Sequence, residues 1–198
     1  MARPRAHIDA SALAEAFAAD GLHGTSSAAL AEALGVAKPT LYVHGQSKDA
    51  LFLRAVEAEV ERVLDHLHAA NRTGVGRTAR FRATAAAQAL LEYAALRPLG
   101  ARLLSRTATH ESSSVAAAVQ AAVQRIPDRI EAGLRRDLTA DGLDPTAAPF
   151  LARAIYGSAV ALSERRGAER RPARAVLAAI AAAAVPEPAL NAGEWPVA

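Results

Sequence analysis

The sequence contains no cysteine, which excludes disulfides, zinc–thiolate sites and thiol nucleophiles. Aromatic residues make up only 4% of its 198 residues, and isoleucine occurs five times. Strand formers are therefore scarce, which argues against a sandwich, a barrel or a Rossmann sheet. Lysine is nearly absent, with two against 21 arginines. That bias matches a GC-rich coding background and leaves most arginines without a functional meaning. The longest alanine-rich runs are broken by arginine, glutamate or proline, and none reaches the roughly 18 apolar residues of a membrane span. The opening MARPRAHIDA lacks the apolar core of a signal peptide, so a cytoplasmic location is expected.

What is abundant is alanine, 53 residues, followed by 22 leucines and 13 valines. Both alanine and leucine favour helix, so the expected fold is all-α. The net charge of +3 is mild, and it comes with a pI near 9.8.

Apolar periodicity and breaker residues divide the chain into about nine helices. The first runs over 7–20, with Gly21 as its stop. The cluster Thr25, Ser26 and Ser27 supplies N-cap residues for a short helix over 28–34, which Gly35 ends. Lys38 and Pro39 open a third short helix that ends near His44, and Ser47 caps a long fourth helix over 48–70. Further helices are predicted over 78–96, 99–108, 115–138, 147–164 and 172–185. Pro127 should kink or break the one containing it. The resulting division is a short N-terminal helical unit over 1–47, a larger helical unit over 48–185, and an extended tail over 186–198.

The most informative stretch is TSSAALAEALGVAKPTLYVHGQSKDALFL, Thr25 to Leu53. Two very short helices flank Gly35, with the small Ala31 four residues before it. That is the spacing of a helix-turn-helix: glycine takes a left-handed conformation in the turn, and a small residue lets the helices approach. Leu30, Leu34, Val36 and Leu41 are spaced to close a small core around it. Lys38, Pro39, Thr40, Tyr42 and His44 then face outward toward a major groove. Lys38 and Thr40 suit base edges, the lysine toward guanine and the threonine methyl toward thymine, with Pro39 adding apolar contact. Thr25, Tyr42, His44 and Lys48 suit phosphate oxygens, and Ser26 lies in the same cluster. Arg3 and Arg5 fit a minor-groove arm. Charge alone does not make this argument. Residues 1–54 carry five basic and five acidic side chains, and the support lies in where Lys38 and Lys48, the only lysines, fall.

The segment LAEALGVAKPTLYVHGQSKDAL, ending at Leu51, resembles the N-terminal signature of the TetR (tetracycline-repressor-like) family of transcriptional regulators. The resemblance rests on Leu30–Ala31, Gly35–Val36, Lys38, Thr40–Leu41–Tyr42, His44 and Ser47–Lys48. It implies a three-helix DNA-binding domain, a connecting fourth helix and a helical effector and dimerisation domain. Two positions depart from the pattern. Gly45 replaces the family's usual aromatic residue, which predicts a loose junction with the fourth helix. Ala37 replaces the usual serine or threonine cap of the recognition helix.

The remaining chain yields weaker signals. Ala154, Gly157 and Ala161 place small residues at helical spacing, and Val176, Leu177 and Ile180 follow on the last helix. With the resemblance, these form an expected homodimer interface. Gln88, Tyr93, Arg102, Thr107, His110 and Tyr156 are candidate polar groups of an effector pocket. Glu57, Glu61 and Asp65, near His66 and His68, are read as a solvated helix face rather than a metal site. His110 and Glu111 beside three serines lack a nucleophile elbow, so no catalytic residue, metal or cofactor is expected. The functional expectation is a homodimeric repressor of a pseudo-palindromic operator, released by a small-molecule effector. The competing expectation is an all-helical carrier or enzyme with a vestigial DNA-binding module.

Overall fold

A computed structural model of the protein describes residues 9–42, 47–72, 78–107, 115–163 and 170–185. Among these the chain is helical, with turns and one short 3₁₀ segment and no strand. The helices are α1 (Ala10–Gly24), α2 (Ser27–Ala33), α3 (Lys38–Tyr42), α4 (Lys48–Arg72) and α5 (Ala79–Leu96). They continue with α6 (Pro98–Thr107), α7 (Ala116–Ala140), α8 (Ala148–Ser163) and α9 (Arg170–Ala184). No described helix is long and apolar enough to cross a membrane.

Local signals set most of the ends. Asp9, Ser26 and Thr78 each accept a backbone N–H as N-caps of α1, α2 and α5. Gly35 and Gly142 adopt φ of 63° and 70° just past α2 and α7. At Gly35 the Val36 N–H donates to the Ala31 carbonyl at 2.9 Å and the Gly35 N–H to Glu32 at 3.0 Å. This closes a Schellman motif. The predicted stop at Gly21 is a break inside α1: its φ of 68° and ψ of −168° interrupt the helix before a last turn to Gly24.

Pro127 does not break its helix, because α7 continues through it. Proline removes one N–H and crowds the preceding turn. Here its ring is buried between Ile126 and Ile130, on a helix held by α4, α5 and α8. Tertiary packing overrides the local preference.

A single core runs through the described helices. At one end Phe17 of α1 meets Phe52 of α4 edge to face, with ring centroids 5.1 Å apart. The α4 stripe of Val56, Val60, Val63 and Leu67 carries the core onward to α5 and α7. Helix α6 packs against both α1 and α4, so the N-terminal helices rest on two elements of the larger bundle.

Candidate nucleic-acid interface and effector cavity

The helix-turn-helix is assembled from α2, the Gly35 turn and α3. Leu30 and Leu41 are buried beneath it, and Leu34 and Val36 are partly buried against them. With Ala37 supplying only its carbonyl, the Thr40 N–H donates to that oxygen at 2.8 Å. Lys38 and Pro39 are exposed and Thr40 is half-buried. Tyr42 is 37% exposed, and its hydroxyl hydrogen-bonds the Ser27 hydroxyl, bracing α3 against α2. Ser26 is exposed and its oxygen is engaged as the α2 cap. His44 and Gly45 lie outside the described residues, as do Arg3 and Arg5.

Thr25 is placed differently from its expected role at phosphate. Its side chain is buried, and the hydroxyl donates to the Gly21 carbonyl at 2.7 Å. The positive φ of Gly21 turns that carbonyl toward the following turn, so the hydroxyl satisfies the α1 break rather than solvent. The Thr25 carbonyl accepts from Lys48 Nζ at 3.2 Å, and Lys48 is half-buried. This contact ties the start of α4 to the α1–α2 connection.

A pocket lies between α4, α5, α6, α7 and α8 and is partly open to solvent. Val63, Leu90, Ala94, Leu104, Ile126 and Val160 make most of its wall apolar. Among the described residues its polar groups are Tyr93, Tyr156 and Ser163, and none of those that line it is charged. The Ser163 hydroxyl donates to the Val160 carbonyl at 2.7 Å. The Tyr156 hydroxyl has no hydrogen-bond partner among the described residues, and burial pushes it up to about 12. Two of the expected pocket residues, Tyr93 and Tyr156, are thus brought together. Gln88 is not: it is exposed on α5, because Ala86, Ala87, Leu90 and Leu91 occupy the buried face. Arg102 turns away too, its guanidinium reaching the Ala19 carbonyl of α1 at 3.5 Å. Thr107 ends α6, and His110 lies outside the described residues.

Glu59 was not anticipated. Its carboxylate is 0% exposed in the middle of α4. It accepts from the Tyr93 hydroxyl, from Arg97 at 2.8 and 3.2 Å, and from Arg62 at 2.5 Å. Arg62 also donates to the Ser11 hydroxyl of α1 at 2.7 Å. Burial acts to raise the Glu59 carboxyl, but the hydrogen bonds from Arg97 and Tyr93, with the charges of Arg62 and Arg97, hold it below its ordinary value. Burial and the same hydrogen bond push the Tyr93 hydroxyl well above the usual tyrosine range. Gly100 of α6 closes the site: a Cβ there would sit 2.2 Å from Glu59 Oε2. Periodicity does hold a signal for this residue. Glu59 is three residues after Val56 and four before Val63, on the apolar stripe of α4.

On the outer face, Ala154, Gly157 and Ala161 of α8 are exposed, and an added Cβ at Gly157 meets open space. Phe150 at the start of α8 is 75% exposed and Ile180 of α9 is 46% exposed. Leu177 is fully buried within the subunit. It shares an inward face with Ala181 and Val185, four and eight residues on, so it is core rather than interface. The side chain of Val176 lies outside the described residues.

Comparison with known proteins gives these features a context. Residues 10–55 match the family described as bacterial regulatory proteins, tetR family. The chain is 28% identical over 149 residues to the HTH-type transcriptional activator FasR of Mycolicibacterium smegmatis, covering 75% of this chain and 66% of that protein. Its fold is similar to a TetR-like transcriptional regulator from Rhodococcus sp. RHA1, with a TM-score of 0.69 and 24% identity over 91% of this chain and 96% of the other. It is also similar to FadR from Bacillus subtilis in complex with stearoyl-CoA, with a TM-score of 0.71 and 13% identity over 89% and 97% of the two chains. The helix-turn-helix around Gly35 thus lies in an N-terminal domain, residues 10–55, that matches the tetR family of bacterial regulatory proteins, and the bundle that carries it has the fold of TetR-like regulators.

Proposed function

We propose that the protein is a homodimeric, ligand-responsive repressor of a pseudo-palindromic operator, released when an apolar acyl group enters the pocket. The observation that carries the reading is the mainly apolar pocket beneath α4 and α6, the two helices on which α1 rests. Its mainly apolar wall favours an acyl chain over a polar ligand. A polar carrier such as coenzyme A would remain outside. The stearoyl-CoA complex of the B. subtilis neighbour supports this ligand class.

The exposed Lys38, Pro39 and Tyr42 on α3 provide base and phosphate contacts, while Lys48 adds a cation at the start of α4. A two-fold operator calls for a two-fold protein. The exposed small residues Ala154, Gly157 and Ala161, with Phe150 and Ile180, supply the face for α8 and α9 of a second copy. The protein then resides in the cytoplasm, on the nucleoid when DNA-bound. Release is a population shift: the ligand favours a spacing of recognition helices that no longer matches successive major grooves.

The test is a gel shift with DNA from upstream of its own coding region, titrated with octanoyl-coenzyme A and stearoyl-coenzyme A. A retarded band lost on adding thioester is expected. A band unaffected by either thioester overturns the acyl effector. The even balance of charge over residues 1–54 is the observation behind the carrier or enzyme alternative, and no shift at low salt would favour that reading instead.

A further inference from the structure

We propose that the Tyr93 hydroxyl is the group through which occupancy of the pocket is conveyed to the DNA-binding helices. The inference rests on the effector reading of that pocket and names the regulatory contact within it. Tyr93 has two faces to its role. Its ring forms part of the pocket wall, and its hydroxyl donates to the buried Glu59 carboxylate. Glu59 in turn holds Arg97, just past the end of α5, and Arg62 of α4. The second guanidinium nitrogen of Arg62 reaches Ser11 at the start of α1, whose backbone N–H is capped by Asp9 at 2.8 Å. One chain of hydrogen bonds therefore runs from the pocket wall to the first turn of the N-terminal helical unit.

The carboxylate at its centre has little room. A Cβ at Gly100 would lie 2.2 Å from Glu59 Oε2 and 2.9 Å from the Tyr93 hydroxyl oxygen, so α6 seals the site from above. A ligand that turns the Tyr93 ring must either break the bond to Glu59 or drag the carboxylate with it. Both outcomes change what Arg62 holds. A neutral ester or thioester carbonyl is a weaker acceptor than a carboxylate. The ligand therefore acts by displacing the ring with its bulk, not by competing for the hydroxyl. By linkage the coupling is reciprocal, so loosening α1 must also loosen the pocket wall.

The experiment measures amide hydrogen exchange on the full chain. Tyr93→Phe keeps the ring and removes the hydroxyl. It is expected to raise exchange across residues 11–17 of α1 by about tenfold, the loss of one charge-assisted hydrogen bond to a local opening. Ser11→Ala should do the same, and the double variant should do no more than either alone. Thr84→Ala removes another α5 hydroxyl, one that among the described residues bonds the Arg80 carbonyl, and should leave α1 unchanged. Wild-type exchange of α1 in Tyr93→Phe, or additive effects in the double variant, overturns the inference. Should Tyr93→Phe fail to fold, Ser11→Ala gives the reciprocal test: raised exchange at residues 90–94 supports the link and unchanged exchange refutes it. Octanoyl-coenzyme A titrated calorimetrically into wild type separates the two readings. Binding without a change in α1 exchange overturns the link. Absence of binding counts against the acyl reading of the pocket, and the Tyr93→Phe result then decides the link alone.

Discussion

Replacing Gly100 by alanine adds one methyl group and sets two effects against each other. Gly100 is the third residue of α6, where alanine favours the helix by up to about 1 kcal/mol. The new Cβ, however, would meet Glu59 Oε2 at 2.2 Å, its Cδ at 2.7 Å and the Tyr93 hydroxyl oxygen at 2.9 Å. The carboxylate must leave its position, and hydrogen bonds to a charged group are worth about 1.5–3 kcal/mol each. Glu59 holds such bonds from Tyr93 and Arg97 with no exposure to water to replace them. Losing one or two of them outweighs the gain in helix preference, leaving a net loss of about 2–4 kcal/mol. For a chain of this length that lowers Tm by roughly 5–15 °C. Thermal and urea unfolding followed by circular dichroism, at one fixed protomer concentration, measures it. The decisive comparison is made in a Glu59→Ala background. There the obstacle is gone, so Gly100→Ala should become neutral or stabilising by up to about 1 kcal/mol. A Gly100→Ala protein as stable as wild type, or an equal penalty in both backgrounds, would refute the reasoning.

Three further outcomes follow from the same geometry. Because the Glu59 carboxyl is held below its ordinary value of 4.5, its stabilising contribution is complete above that pH and is lost as pH falls through the lower folded-state value. Urea midpoints from pH 7 down to pH 3 should show this loss in wild type and a flatter acid limb in Glu59→Gln; identical limbs would assign acid sensitivity elsewhere. Lys48→Ala should weaken specific and random DNA alike, with a salt slope shallower by about one. Lys38→Ala should instead relax preference at a defined base pair, and equal losses on both DNAs would remove its base-reading role. Gly157→Arg, placing a charge on the open face of α8, should give helical monomers by light scattering; a surviving dimer would put the interface elsewhere.

How much was legible in the sequence depended on how local the cause was. Glycines with positive φ, N-cap side chains and a helical apolar period act within a few residues. The Gly35 turn, the caps at Ser26 and Ser47 and the all-α composition were therefore readable directly. So was the helix-turn-helix, whose small core is built from residues close in sequence. Other features depend on partners far along the chain. Pro127 is a breaker by local rules, yet α7 continues through it in a site packed from three other helices. Thr25 reads as a surface hydroxyl in a cap cluster until the break at Gly21 presents a carbonyl to it. Leu177 is apolar on an alanine-rich helix, and only the placement of α9 against α5 and α8 turns it inward.

Glu59 shows the division most plainly. Its position on the apolar stripe of α4 follows from the sequence. That a carboxylate can stay charged there depends on Tyr93 and Arg97, which are 34 and 38 residues away. The sequence by itself determined which helices form and where the helix-turn-helix lies. The tertiary structure decided which polar groups are buried together, because a buried charge is tolerated only where distant partners converge on it.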